Sequence, residues 1–524
     1  MEEVFQNNSS HIRKSMAVFI RIKNGEKKMA VKLKDIYLGV PDGATEAESK
    51  NFEELFYDPN NKYDELMNNE EKFLVIGNKG TGKTYLAKYV LLKAPKKGLK
   101  EMVNANDFSI YKLANVSEIG IGKDLMYALC KWYLLDKISK LLLSRHIWKR
   151  KVPVMNIYEL KKFVTNYDND SFFKEIKRTD SKNSDGRFGR KSHTKGSPIT
   201  NEVNCGISIG SSVESERKEF YELITAYEEL LFKSISKNDD ILLIIDDLDE
   251  IEKDKEKAEQ IIAALINVTK EYNFKIKKYK GKLKIILLLR SDILNDIQVY
   301  NANLSKIKTS CGVELYWLLD SVSNQYEHPL MSMVLHKIKA SCPEYRNASN
   351  KKIFNEMFPD NIDSKKPLDY LLDYGFGRPR DIITYLNHTK EQYPEENCFS
   401  PRALKESRKL YSEDFYNEMQ NQASFHKEPE YIKECFLLLQ IECKVTFKYE
   451  DVKKNFENSR ERFRAIDDIA DALEFLYEIG AIGNVWKVNG HIHTCWAYKK
   501  DAMDKADLNK KFTIHYGLRK KFSY

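Results

Sequence analysis

The run Gly77-Asn78-Lys79-Gly80-Thr81-Gly82-Lys83-Thr84 fills every fixed position of G-x-x-x-x-G-K-[ST], the spacing that lets a backbone cradle phosphate. Its glycines allow the chain to curl tightly and approach an anion closely. Lys83 is expected to reach the β- and γ-phosphates of a nucleotide, and the Thr84 hydroxyl to ligate Mg²⁺. Such a site needs a second acid, and Asp246-Asp247-Leu248-Asp249-Glu250 supplies candidates. Asp246 is the expected Mg²⁺ contact, through water, because Mg²⁺ keeps several waters. Asp247 is the first choice to position or polarise an attacking water, with Glu250 the alternative base. Asp249 and Glu250 could instead cap a following helix, where acids are favourable. Two cations complete the set: Arg290, either a reporter of the γ-phosphate or an ordinary strand-end arginine, and Arg380, in the first turn of a helix opened by Pro379.

These residues need particular elements to hold them. Phe73-Leu74-Val75-Ile76 reads as a buried strand and Tyr85 to Leu92 as a helix. Strand, glycine loop and helix together aim backbone N–H groups at a phosphate. Ile241 to Ile245 is continuously apolar, as expected of a central parallel strand covered on both faces. An acid at its carboxyl end lies where open α/β sheets bind ligands. Leu283 to Leu289 is a third strand, ending at Arg290.

The ordered set G-N-K-G-T-G-K-T, I-I-D-D-L-D-E, L-L-L-R-S-D and G-R-P-R-D resembles the AAA+/STAND branch of P-loop ATPases. The acidic run is similar to that of KAP and NACHT-type ATPases. The G-R-P-R-D helix start is similar to sensor 2 of origin-recognition ATPases and of the Holliday-junction branch-migration motor. A scattered group of bacterial P-loop ATPases, found among mobile and antiviral defence genes, resembles the chain at Gly377–Asp381, at Leu315-Tyr316-Trp317 and at Phe512–Arg519. The resemblance implies ATP and Mg²⁺ as cofactors, Arg290 as sensor 1 and Arg380 as sensor 2. It implies a homo-oligomer acting with a protein partner or effector. An acid–glutamate pair is usual in AAA+ motors; Asp246-Asp247 stands here, which fits a slow switch better than a fast motor.

At 524 residues the chain has room for two to four domains. Its 42% hydrophobic and 31% charged content is that of a globular protein. No apolar stretch approaches the ~18 residues of a membrane span, so no membrane role is expected. Met1-Glu2-Glu3-Val4-Phe5 lacks a secretion signal, and the eight cysteines contain no C-x-x-C pair. A cytoplasmic protein with reduced thiols and no zinc site is therefore expected. The net charge of +8 permits nucleic acid without demanding it.

The expected fold class is α/β: a P-loop NTPase core with a parallel sheet, a helical lid and a C-terminal winged helix. The expected domains are an N-terminal extension at 1–65, the core at 66–300, the lid at 301–425 and the winged helix at 426–524. The extension should hold a hairpin turning at Asn24-Gly25 and a helix from Glu46 to Phe56. A basic, polar insertion at 174–215 interrupts the core and reads as a solvated loop or a phosphate contact. From 301 to 420 only helices are expected, with Trp317 as a packing residue. Lys444 to Tyr449 reads as a strand, Ile466 to Ile479 as a helix, and Ala481 to His493 as a hairpin turning at Asn489-Gly490. That helix carries Asp467, Asp468, Asp471, Glu474 and Glu478, which should repel DNA phosphates and suit a protein partner instead. His491, His493 and His515 lack the further ligands that a metal site needs. Two functions follow: an ATP-driven oligomerising switch or remodeller in phage defence, or a DNA-binding ATPase of replication, transposition or repair.

Overall fold

A computed structural model describes residues 31–104, 123–144, 154–166, 213–248, 255–279, 281–300, 302–319, 323–442, 444–499, 502–503 and 505–524. The turn of the expected N-terminal hairpin, Asp249, Glu250 and residues 174–212 of the insertion lie outside the described residues.

Alternating apolar runs build the first layer. Strands β1 (Leu74–Ile76), β2 (Leu99–Asn104), β3 (Asp240–Asp246), β4 (Lys282–Leu289) and β5 (Gly312–Glu314) form one parallel sheet in the order β2-β3-β4-β1-β5. Side chains alternate between faces along a strand, so each run feeds two cores. Leu74, Ile76, Leu243, Ile245, Ile285 and Leu287 enter one core. Val75, Leu242, Ile244, Ile286, Leu288 and Val313 enter the other. The second is covered by helix α1 (Lys83–Lys93), through Leu86, Ala87 and Val90. The first is covered by α2 (Lys123–Leu143), α3 (Val213–Ser234), α4 (Lys255–Lys275) and α5 (Ser291–Tyr300). The chain leaves β1 toward one side of the sheet and returns to its other side as β5. That reversal opens a crevice at the carboxyl end of β1.

The expectation of helices alone from 301 to 420 is corrected by β5. This strand is three residues long and only Val313 is buried, so it shows no periodicity; its pairing with β1 creates it. The helix expected from Glu46 to Phe56 is also corrected, to two short helices, Gly43–Glu46 and Phe52–Leu55. Asp42 caps the first by accepting from Thr45 N at 2.8 Å. The second is pulled onto α1, where Phe56 stacks on Tyr89 at 3.7 Å and Phe52 meets Tyr85 edge-on at 5.0 Å. Aromatic contacts to a neighbour outweigh local propensity here.

Further along lie α6 (Pro329–Ser341), α7 (Pro379–Gln392), α8 (Arg408–Ala423) and α9 (Pro429–Glu442). Then come β6 (Thr446–Phe447), α10 (Tyr449–Asn458), α11 (Ile469–Glu478), β7 (Ile482–Val488), β8 (His491–Cys495) and β9 (Lys511–Ile514). The four strands form an antiparallel sheet in the order β6-β9-β7-β8. Asn489 and Gly490, both at positive φ, make the tight turn between β7 and β8. The strand expected over 444–449 shrinks to β6, because Asp451 accepts from Lys448 N at 3.1 Å and starts α10. One apolar cluster runs from Leu33 through Leu335 and Leu386 to Phe436, Leu476 and Phe512. Helices α6 to α11 thus share a core with the antiparallel sheet.

Candidate nucleotide-binding site

The glycine loop leaves β1 and enters α1 as its sequence demands. Gly80 and Gly82 sit at φ +83° and +93°, a conformation that side-chain-bearing residues rarely adopt. Thr81 tightens the turn by donating from its hydroxyl to the Asn78 carbonyl at 2.8 Å. Lys83 folds over the loop, donating from Nζ to the carbonyls of Gly77 (2.9 Å) and Asn78 (3.2 Å). Thr84 donates its hydroxyl to Asp246 Oδ2 at 2.6 Å, across 162 residues of sequence. Asp246 is buried at the end of β3 and its other oxygen accepts from Asp247 N at 2.9 Å. Asp247 has φ +54°, a strained conformation for a residue bearing a side chain, tolerated best by Asp and Asn. It lines the cavity that opens over the glycine loop.

The structure brings both candidate arginines to that cavity. Arg290 is buried and donates from Nε to Asp292 Oδ1 at 3.1 Å. Its Nη2 donates to the Gln422 carbonyl at 3.3 Å, and its guanidinium lies 5.8 Å from the Phe425 ring. Burial raises the Asp292 pKa, but hydrogen bonds from His426 and Arg290 outweigh it and hold the carboxyl well below the ordinary range. Arg380 crosses the loop, with its N–H 3.4 Å from the Gly80 carbonyl. Its Nε donates to the Pro41 carbonyl at 3.2 Å and its Nη1 to Glu418 Oε1 at 2.7 Å.

Sequence reasoning missed Arg378, two residues earlier. It is 2% exposed and forks onto Asp381, with Nη2 donating to Oδ1 at 2.7 Å and Nε to Oδ2 at 3.0 Å. Its remaining arm, Nη1, donates to the Lys79 carbonyl at 2.8 Å, so it grips the phosphate loop from behind. The signal was present: Arg378 and Asp381 are three residues apart at a helix start, the spacing of an intrahelical ion pair. Trp317 was expected only to pack. It is half-buried and also donates from its ring nitrogen to the Thr81 carbonyl at 2.9 Å.

The cavity encloses about 230 Å³. Beyond the loop, its walls come from the segment 40–62 and from α6 and α7, through Val40, Pro41, Tyr57, Met333 and Ile383. No spacing in the sequence linked that segment to the site. A buried ion pair between Lys337 of α6 and Glu46 fastens it there. Burial raises the Glu46 pKa and lowers that of Lys337, and each partner opposes the other's shift.

The donor set fits Mg-nucleotide. A hydroxyl and a carboxylate, the hard oxygen ligands that Mg²⁺ takes, meet at the helix start where backbone N–H groups gather. Among the described residues no cluster of three or more His, Cys, Asp or Glu forms a metal site. The six described cysteines are free. His491 and His493 lie exposed on edge strand β8, and His515 is buried, its pKa pushed down to about 3 by burial. Among the described residues no helix is long and apolar enough to cross a membrane.

Residues 328–420 match the FunZ-associated C-terminal helical domain. No curated protein matches the sequence. Among solved structures, a Walker-type ATPase of Pyrococcus abyssi aligns with 12% identity over 84% of this chain and 94% of its own, at a TM-score of 0.35.

Proposed function

We propose that this chain binds Mg-ATP and hydrolyses it slowly, as an oligomerising cytoplasmic switch that works through a partner protein. The observation that carries this reading is the Thr84 hydroxyl resting on Asp246 at the mouth of a glycine loop. Two elements far apart in sequence converge there on the pair of oxygens that Mg-nucleotide needs. Gly77 to Thr84 would cradle the phosphates, and Thr84 and Asp246 would hold the magnesium. When bound, Mg²⁺ neutralises phosphate charge. Lys83 would leave the loop carbonyls for the β- and γ-phosphates, and Asp247 would orient the attacking water. Arg290 and Arg380 would face the γ-phosphate as sensors. In-line attack would then be driven by positioning and charge neutralisation.

Slow turnover follows from the same contacts. Both arginines are already engaged by carboxylates, Asp292 and Glu418, which offset the positive charge offered to the transition state. The acid after Asp246 is a short aspartate in a strained backbone. Asp247→Ala should keep ATP affinity within about threefold and lower kcat by roughly 100-fold or more, within the general-base range. Phosphate release under saturating ATP checks this; a normal rate would move the base to Glu250.

A setting in phage defence is supported by the motif resemblance and fits the FunZ-associated match. The order α9, β6, α10, α11, β7, β8 supports a winged-helix reading. For a duplex-reading wing, α11 would enter the major groove. Asp467, Asp468, Asp471 and Glu478 are exposed at that helix, which favours a protein partner over DNA. Titration calorimetry with Mg-ATP tests the nucleotide site. Light scattering with an ATP analogue, with ADP, and with each plus duplex DNA separates the switch from the DNA-bound alternative.

A further inference from the structure

Three arginines around the phosphate loop are held by one short stretch of chain, helix α8 and the residues just after it. Glu418 accepts from Arg380 Nη1 at 2.7 Å. One turn later the Gln422 carbonyl accepts from Arg290 Nη2 at 3.3 Å, and its side-chain oxygen lies 3.5 Å from Arg378 Nη1. Phe425 then lies beneath Arg290. Residues four apart share a helix face, so Glu418 and Gln422 present one surface to the nucleotide pocket.

The first half of α8 is bonded to the end of the chain. Ser412 donates its hydroxyl to the Gly517 carbonyl at 2.5 Å and accepts from Lys521 N at 2.8 Å. Phe415 stacks on His515 with ring centroids 4.9 Å apart. His515 directly follows β9, which lies in the antiparallel sheet. Helix α8 therefore touches the nucleotide pocket with its second half and the segment that follows β9 with its first.

Resting on the ATP reading above, we infer that Glu418 is a positioning residue that holds Arg380 against the γ-phosphate's pull, and that α8 carries the outcome to β9 and residues 515–522. Two anions compete for one cation. A triphosphate draws Arg380 from Glu418 more strongly than a diphosphate does, so the Arg380–Glu418 contact distinguishes the two nucleotides. Such competition is a coupling free energy between two sites, and it acts in both directions.

Glu418→Gln keeps the shape of the side chain and removes its charge. Affinity for a non-hydrolysable ATP analogue should rise roughly fivefold, within the usual range of such couplings, while ADP affinity moves less than about twofold. In wild type, hydrogen–deuterium exchange across residues 511–522 should differ between analogue and ADP. In Glu418→Gln that difference should vanish, and Glu418→Asp should restore both properties. A residue with a merely structural role would not move the analogue-to-ADP ratio. Ser412→Ala lies outside the nucleotide site and serves as a second variant. It should abolish the exchange difference with nucleotide affinities unchanged. Wild-type affinity ratio and exchange in Glu418→Gln, or an intact exchange difference in Ser412→Ala, would overturn the inference with the ATPase reading standing. A wild-type chain that binds neither nucleotide would remove the ATPase reading and this inference together.

Discussion

Lys83→Ala should leave the chain folded and weaken its hold on Mg-ATP, with affinity falling by roughly 30-fold or more. Removing one partner from a desolvated charge contact costs about 2–5 kcal/mol, and each 1.4 kcal/mol is a factor of ten. The fold should survive because Lys83 donates to carbonyls of the loop itself, and the sheet beneath it is packed through Val75, Ile244 and Leu288. Calorimetry and a thermal melt in the presence and absence of ATP would show both halves. Wild type should gain stability with ligand, by about 2.7 kcal/mol when the ligand stands at a hundred times its dissociation constant, and the variant should gain far less at the same concentration. An ATP-dependent rise in melting temperature in Lys83→Ala equal to that of wild type would place the nucleotide elsewhere.

Arg378→Ala is expected to cost about 3–5 kcal/mol of stability, because it strands a buried carboxylate. Asp381 would keep its bond from Phe376 N (2.8 Å) and lose the guanidinium that neutralises it. The Lys79 carbonyl would lose its donor, and the phosphate loop its rear support. Nucleotide affinity should fall more than tenfold even at temperatures where the variant is fully folded. Lysine should not rescue it, since an ammonium cannot reproduce a fork onto Asp381 and a third bond to the loop. Arg380→Ala provides the contrast. Its partner Glu418 is partly exposed, so the loss should stay within about 1 kcal/mol, while discrimination of ATP from ADP declines. Denaturant unfolding ranks the two arginines. Equal stability of Arg378→Ala and wild type would mean that the buried fork does not hold the loop.

The two arginines show what a linear reading can and cannot recover. G-R-P-R-D announced a helix start with cations near a phosphate. It did not say which cation turns inward: Arg378, buried on Asp381, or Arg380, half-exposed beside Glu418. That choice depends on Lys79 and Gln422 approaching from other elements. Trp317 was visible as a large ring, but its bond to the Thr81 carbonyl spans 236 residues. Glu46 looked like one helical acid among several, and its partner Lys337 lies 291 positions away.

The glycine loop, β1, β3, β4, the helices flanking them and the β7–β8 turn were legible from residue order alone. Each is specified by its own contiguous residues, by backbone conformations only glycine adopts easily, by apolar runs or helical spacing, or by an Asn-Gly pair. Strand β5, the broken helix at 43–55, the wall built by residues 40–62 and the three-arginine grip of α8 were decided by the tertiary structure. None has a local period or cap strong enough to declare itself. Their conformations are set by partners that reach them only once the sheet and helices have packed.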